Sequence, residues 1–314
     1  MKVLGFASHL LFKLCFFLSL DPQQIIDFIP GLPPIQAADL PDAASTDPAF
    51  IRNVMGVLAD KTSGMIFNTV HELERESLNA ISRKIPVYPI GPMLLMSPLT
   101  TRARDTTIDF WTEDRECLAW LDTALPSSVI FVSFGSLANF STQQVKELAH
   151  GLDASEQPFL WVVRSNSVVQ SHGQHPWSRV LPEDFVERTK GRGLIISWAP
   201  QLHVLSHPSI GGFLTHCGWN SIIENLSTGC VPMLCWPQFA EQRLNARVLV
   251  DEWRVGLEFE VEYGNIVKAS AIERVVVELM QGDTGKEINK RIRVLKEVVS
   301  QSVQDGGSSP RYLR

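Results

Sequence analysis

Residues 198–242 read WAPQLHVLSHPSIGGFLTHCGWNSIIENLSTGCVPMLCWPQFAEQ, and this stretch decides the fold. Its middle, 210–218, is an apolar run that ends in a small-residue turn, after which Ile222, Ile223 and Leu226 recur at helical spacing up to Gly229. A strand therefore feeds a helix. The start of such a helix presents backbone N–H groups without intrahelical acceptors and the positive end of the helix dipole, and Asn220 and Ser221 add side-chain donors there. A diphosphate fits that donor set, and His216 at the strand end can donate to the same phosphates. A purely structural strand and helix does not need Trp198, His216 and Glu224 together at this spacing. By contrast Trp253 reads as core, His150 and His207 as surface or capping residues, and Cys217 as a structural thiol.

Outward from this stretch, strands and helices alternate. Residues 63–70, 87–93, 127–136, 158–164, 193–200, 210–218, 231–237 and 255–261 read as strands. Helices are predicted over 71–84, 142–156, 201–207, 220–228, 239–253, 269–280 and 286–304. Apolar strands separated by helices imply an α/β fold with a doubly wound parallel sheet, whose ligands bind at the carboxyl ends of the strands. The 198–242 stretch lies at those ends. Residues 94–113 are polar and irregular and read as a linker between domains. Residues 165–179 read as a polar loop; its His172 and His175 lack a third ligand, so no metal site is expected. No GxGxxG motif occurs, which disfavours an ordinary dinucleotide dehydrogenase.

Composition sets the outer bounds. A chain of 314 residues with 45% hydrophobic residues can bury two cores of ordinary size. Lys plus Arg is 28 against 34 for Asp plus Glu, a formal charge of −6 without a basic stripe, so nucleic acid is not an expected partner. The five cysteines, Cys15, Cys117, Cys217, Cys230 and Cys235, form no CxxC pair and point to a reducing cytoplasm. The first twenty residues, MKVLGFASHLLFKLCFFLSL, loosely mimic a secretory leader. His9 and Lys13 interrupt the run and no small-residue cleavage site follows, so a buried element is the expectation and a signal or anchor the other reading; the apolar start and the exposed inner face of the C-terminal domain offer surfaces for weak membrane or self-association.

The box from Trp198 to Gln242 resembles the signature box of plant family 1 glycosyltransferases, which move a sugar from a UDP-sugar to a small lipophilic acceptor. The likeness extends to DFIPGLPPIQAADLPD, SGMIFNTVHELE, VYPIGP, CLAWLDTALPSSVIFVSFGSLA, QPFLWVVR, LPEDFVERTKGRGLIISWAPQ and GGSS, in the family order. The resemblance implies a GT-B fold of two Rossmann-like domains: a complete C-terminal UDP-sugar-binding domain at 114–314, a linker at 94–113, and at 1–93 the remnant of the acceptor-binding N-terminal domain. It implies that Trp198 stacks on uracil, that the backbone of Ala199 pairs with its edge, and that Gln201 and Glu224 hold the ribose. By the same likeness His216, Asn220 and Ser221 hold the diphosphate, Trp219, Glu241 and Gln242 meet the sugar, the glutamine pointing to glucose, and Ser136 and Gly218 belong to the same UDP-sugar site. Each role suits its side chain: an indole face for a flat base, carboxylate and amide for vicinal hydroxyls.

Two departures from the pattern matter. Cys230 is an extra residue between Gly229 and Val231; it is either absorbed in the turn or shifts Glu241 and Gln242. The family's base histidine and its supporting aspartate match no segment here, and His9 in GFASH lacks the preceding glycine, so no catalytic base is assigned. The expectation is an N-terminally truncated UDP-glycosyltransferase, inverting and without metal or other cofactor. The other readings are a non-catalytic UDP-sugar-binding module or shortened isoform acting through a partner chain, and a GT-B epimerase or a transferase of another nucleotide.

Overall fold

A computed structural model describes residues 21, 23–40, 63–96, 116–135, 140–163, 180–259 and 266–313. Ser136, His9, His172, His175, most of the 94–113 segment and the apolar start lie outside the described residues.

Six strands form the central sheet: β5 (Val129–Ser133), β6 (Phe159–Val162), β7 (Gly193–Ile196), β8 (Ile210–Thr215), β9 (Met233–Cys235) and β10 (Gly256–Glu258). All neighbours are parallel, in the order β10-β9-β8-β5-β6-β7. Every residue of β5 and β8 is buried, as a strand covered on both faces requires. The chain runs from β5 outward to β7, then returns to the other side of β5 and runs outward again to β10. The reversal falls between β5 and β8, and there the loops leaving the two strands diverge to opposite faces of the sheet and open a crevice. The residues just past those strand ends are Phe134, Gly135, His216 and Cys217.

The crossover helices cover the sheet. Ser141 caps α4 (Thr142–Ala154) by accepting from the Gln144 amide at 3.1 Å. The buried Gln144 carboxamide bonds both the carbonyl and the N–H of Val267, and Glu147 accepts from the Ala269 amide, so α4 fixes the start of α9 (Ala269–Gln281). The last long helix, α10, spans Asp283–Ser302. Several boundaries differ from the periodicity. Strand 193–200 stops at Ile196, and the helix expected at 71–84 is α1 (Arg75–Ser82) after a turn. The helix expected from Phe239 starts at Gln242 as α8 (Gln242–Arg247), continues as a π turn over Val248–Glu252 and follows a left-handed Ala240. The short helices α2 (Met93–Met96), α3 (Glu116–Leu121), α5 (Phe185–Arg188) and α11 (Ser308–Arg311) carry too few turns for a periodic signal.

A second unit pairs β3 (Met65–Phe67) with β4 (Val87–Pro89) in parallel and packs α1 on them through Phe67, Leu78, Ile81 and Ile85. The hairpin of β1 (Ile25–Ile26) and β2 (Ile35–Gln36) leads into a short 3-10 turn at Ala37–Asp39. This turn is tied to α8: the Arg243 guanidinium donates to the Ala38 carbonyl, and Arg247 lies 3.9 Å from Asp39. On α11, Ser309 donates to the Gly91 carbonyl at 2.5 Å and Ser308 to Glu72 at 2.7 Å, so residues 308–309 already return to this unit.

Cys230 sits in the turn before β9. Helix α7 (Trp219–Ser227) ends at Thr228, and Cys230 adopts φ 55° with its N–H on the Asn225 carbonyl at 2.8 Å. The Asn225 carboxamide then bonds both the N–H and the carbonyl of Val231, and β9 enters in register with β8 and β10. Gly229 is needed there for space, because a Cβ on it would lie 1.7 Å from the Leu205 carbonyl oxygen. Gly229→Ala is expected to destabilise the fold by about 1–3 kcal/mol or more; a denaturant midpoint equal to that of the parent would refute it.

Candidate functional site

The box folds around the crevice. α6 (Gln201–Ser206) follows the loop after β7, and α7 follows β8. Ser221 and Glu224 are three residues apart on α7 and so share a face. Gln201 reaches them across the crevice: its Nε2 donates to Glu224 Oε2 at 2.6 Å and to Ser221 Oγ at 3.0 Å. Three predicted residues separated by up to 23 positions thus meet at one point, forming a compact amide, hydroxyl and carboxylate group suited to vicinal hydroxyls. Trp198, half-buried, and Ala199, buried, sit just before it in the loop.

Burial pushes the Glu224 carboxyl above its ordinary value of 4.5, and the Gln201 hydrogen bond opposes the shift. A hydroxyl donating to this carboxyl prefers the ionised form. Binding of a ribose-bearing ligand is therefore expected to weaken as pH falls through the raised pKa, in a window that begins above pH 4.5. For folding the sign is opposite: a raised carboxyl pKa favours the folded state as pH falls through it. A titration of UDP affinity against pH in which Glu224→Gln keeps the dependence of the parent would overturn this assignment.

The helix start is the second part of the site. Gly218 is the N-cap of α7, and the first helical bond runs from the Ile222 N–H to the Gly218 carbonyl. The N–H groups of Trp219, Asn220 and Ser221 precede that bond and face the crevice end, with Asn220 exposed. The turn before them is held rigidly. Cys217 has φ 63°, its N–H meets Thr215 Oγ1 at 3.2 Å, and Asn245 of α8 donates to its carbonyl at 2.9 Å. Asn245 was not legible as part of the site, because nothing in its neighbourhood marks a helix residue that supports a turn 28 positions earlier. His216 projects beside Gly135 and Gly218.

The remaining box residues make protein contacts. The Trp219 indole N–H donates to the Asn68 carbonyl at 2.9 Å, and its ring lies 6.3 Å from that of Trp253, which packs at the edge of the core as expected. Gln242 is 4% exposed, and its Oε1 accepts from the amides of Gln238 and Phe239 at 2.9 and 3.1 Å. Glu241 is half-buried as the N-cap of α8. His207 ends α6, bonded to Ser209 at 2.8 Å and Asp122 at 3.1 Å, a capping role as its isolation implied. The buried Cys217 and Cys235 thiols are hydrogen-bonded, which with burial raises the Cys235 pKa, and burial pushes Cys230 up to about 12; neither is poised as a thiolate. Among the described residues no group of three His, Cys, Asp or Glu side chains is placed to hold a metal ion.

Residues 114–290 match the model of the UDP-glucoronosyl and UDP-glucosyl transferase family. A 7-deoxyloganetin glucosyltransferase of Catharanthus roseus is 41% identical over 299 residues, covering 91% of this chain and 58% of its own length. Among solved structures, UGT2 of Phytolacca americana, complexed with UDP-2-fluoro-glucose and pterostilbene, aligns with TM-score 0.83 and 34% identity over 98% of this chain and 68% of that one. A UDP-glucosyltransferase of Polygonum tinctorium capable of glucosylating indoxyl aligns at 0.79 and 36%, over 96% and 67%. The six-stranded parallel sheet and the crevice at its switch point are those of a GT-B protein. The chain belongs to the plant family 1 UDP-glycosyltransferases, and it spans a little under three fifths of the length of that Catharanthus relative.

Proposed function

We propose that this chain binds a UDP-sugar, preferring UDP-glucose, and belongs to a transferase that glycosylates a hydroxyl of a small lipophilic metabolite with inversion and without a metal. The observation that carries the reading is the convergence at the sheet's switch point: His216 precedes the α7 N-terminus, and Gln201 of α6 bonds Ser221 and Glu224 on the first two turns of the same helix. Under this reading Trp198 and the Ala199 backbone take the uracil, Gln201 and Glu224 the ribose. His216, Asn220 and Ser221 then hold the diphosphate, with Gly218 beside them, and the helix start favours its departure with UDP electrostatically. Residues 114–314 are the donor domain, 94–113 the linker and 1–93 the acceptor-side portion. The solved relatives, one of them holding a UDP-sugar analogue and an aromatic acceptor, support the substrate class.

Glucose preference rests on Gln242 at the box end and on Glu241 beside it. Because the Gln242 oxygen is engaged by two backbone amides, its Nε2 is the group oriented for a sugar hydroxyl. UDP-glucose is expected to displace UDP more effectively than UDP-galactose or UDP-glucuronate does in competition titrations. Equal displacement by all three would sink the donor assignment and leave the uracil and ribose assignments standing.

A further inference from the structure

Two glycines on separate elements approach the same imidazole. A Cβ on Gly135, at the end of β5, would lie 2.7 Å from both Cε1 and Nε2 of His216. One on Gly218, the N-cap of α7, would lie 2.4 Å from Nε2 and 3.1 Å from Cδ2 and Cε1. Both are closer than carbon and nitrogen tolerate, so the ring sits in a slot whose two walls are bare backbone and whose Nε2 edge is common to both. The slot lies at the switch point, where β5 and β8 diverge and α7 begins. The walls are stiff: Cys217 between His216 and Gly218 is anchored by Thr215 and Asn245, and β5 and β8 pair through Ser133 and Thr215.

We propose that Gly135 and Gly218 are positioning residues for the diphosphate of the donor: they act through His216, by leaving the space in which its imidazole places Nε2 beside the helix start. This rests on the reading of the site as a UDP-sugar site, and it assigns the glycines a steric task distinct from ligand contact. Gly218 is the sharper probe. It has φ −64° and ψ 137°, a conformation open to alanine, so a methyl group there crowds the ring without straining the backbone. Gly135 has φ 68°, where alanine adds backbone strain to the same crowding.

The test is calorimetric titration of the 314-residue protein with UDP and with uridine, which shares the base and ribose contacts and lacks the phosphates. Gly218→Ala is expected to lower UDP affinity about tenfold or more, the size of one lost hydrogen bond to a charged group, while uridine affinity stays within about twofold. His216→Ala is expected to match that loss, and Gly218→Ala added to His216→Ala is expected to cause no further loss, because the small side chain vacates the slot. Gly135→Ala should show the same UDP-specific loss. If Gly218→Ala weakens UDP as strongly in the His216→Ala background as alone, the glycine contacts the ligand directly and the proposal is wrong. Equal loss of uridine and UDP would mean general disruption and would likewise overturn it. If the parent itself holds UDP no tighter than uridine, the phosphate reading of the site fails first, and that result is separate from any effect of the glycines.

Discussion

Replacing Trp198 by alanine is expected to cut UDP affinity roughly 5- to 150-fold, the equivalent of about 1–3 kcal/mol of base–aromatic stacking. The indole stands half-buried in the loop between β7 and α6, three residues before Gln201 of the Gln201–Ser221–Glu224 cluster. A base stacked on it would bring its ribose to that cluster. Trp198→Phe should retain most of the affinity, since a smaller flat face remains. Glu224→Ala removes the acceptor of the 2.6 Å bond from Gln201, leaving that part-buried amide only Ser221 Oγ, and takes away the carboxylate itself, a cost of about 1–3 kcal/mol. If Trp198→Ala and Glu224→Ala both bind UDP as the parent does, by calorimetry or by protection against thermal unfolding, the nucleotide does not lie here.

The second large effect concerns turnover. The 314-residue chain is expected to transfer glucose to phenolic or terpenoid acceptors about 10²- to 10⁴-fold more slowly than the same chain joined to a family N-terminal domain carrying the histidine and aspartate, the usual contribution of a placed general base. The family's base histidine and aspartate match no segment of this sequence; among the described histidines, His207 is a helix cap and His216 lies between Gly135 and Gly218. Acceptor positioning contributes further through proximity. The comparison is made with purified proteins, UDP-glucose and a broad acceptor panel. Comparable turnover by the two would overturn the claim, and His9→Ala would then identify whether His9 serves.

The site was legible to the extent that its residues are neighbours in sequence. The 210–228 pattern announces a strand, a turn and a helix start, and each is in place, with the helix beginning one residue earlier than expected because Gly218 caps it. Cys230 was ambiguous by sequence, since an inserted residue can be taken up locally or passed along the chain. In the structure Cys230 takes a left-handed conformation and Asn225 clamps Val231, which seats the residue in the turn. Gln242 and Trp219 were expected at the sugar; the Gln242 oxygen accepts from the nearby amides at 238–239, and the Trp219 N–H donates to the Asn68 carbonyl, a partner that no local pattern predicts because it is 151 positions away.

What the sequence determined by itself was the α/β class, the parallel sheet and the strand–turn–helix start, because hydrophobic period and short-range spacing act over a single turn or strand, and, through the resemblance of its 198–242 box, the family. What the tertiary structure alone decided was which of these pieces meet. The return of β8 to the far side of β5 brings Gly135 against His216, and the packing of α6 beside α7 brings Gln201 onto Glu224. The attachment of the 3-10 turn at Ala37–Asp39 to α8 through Arg243 joins residues 205 positions apart. Periodicity records which face of an element is buried and is silent on the neighbour that buries it, so strand order, and with it the assembled crevice, follows from the packing of the whole chain.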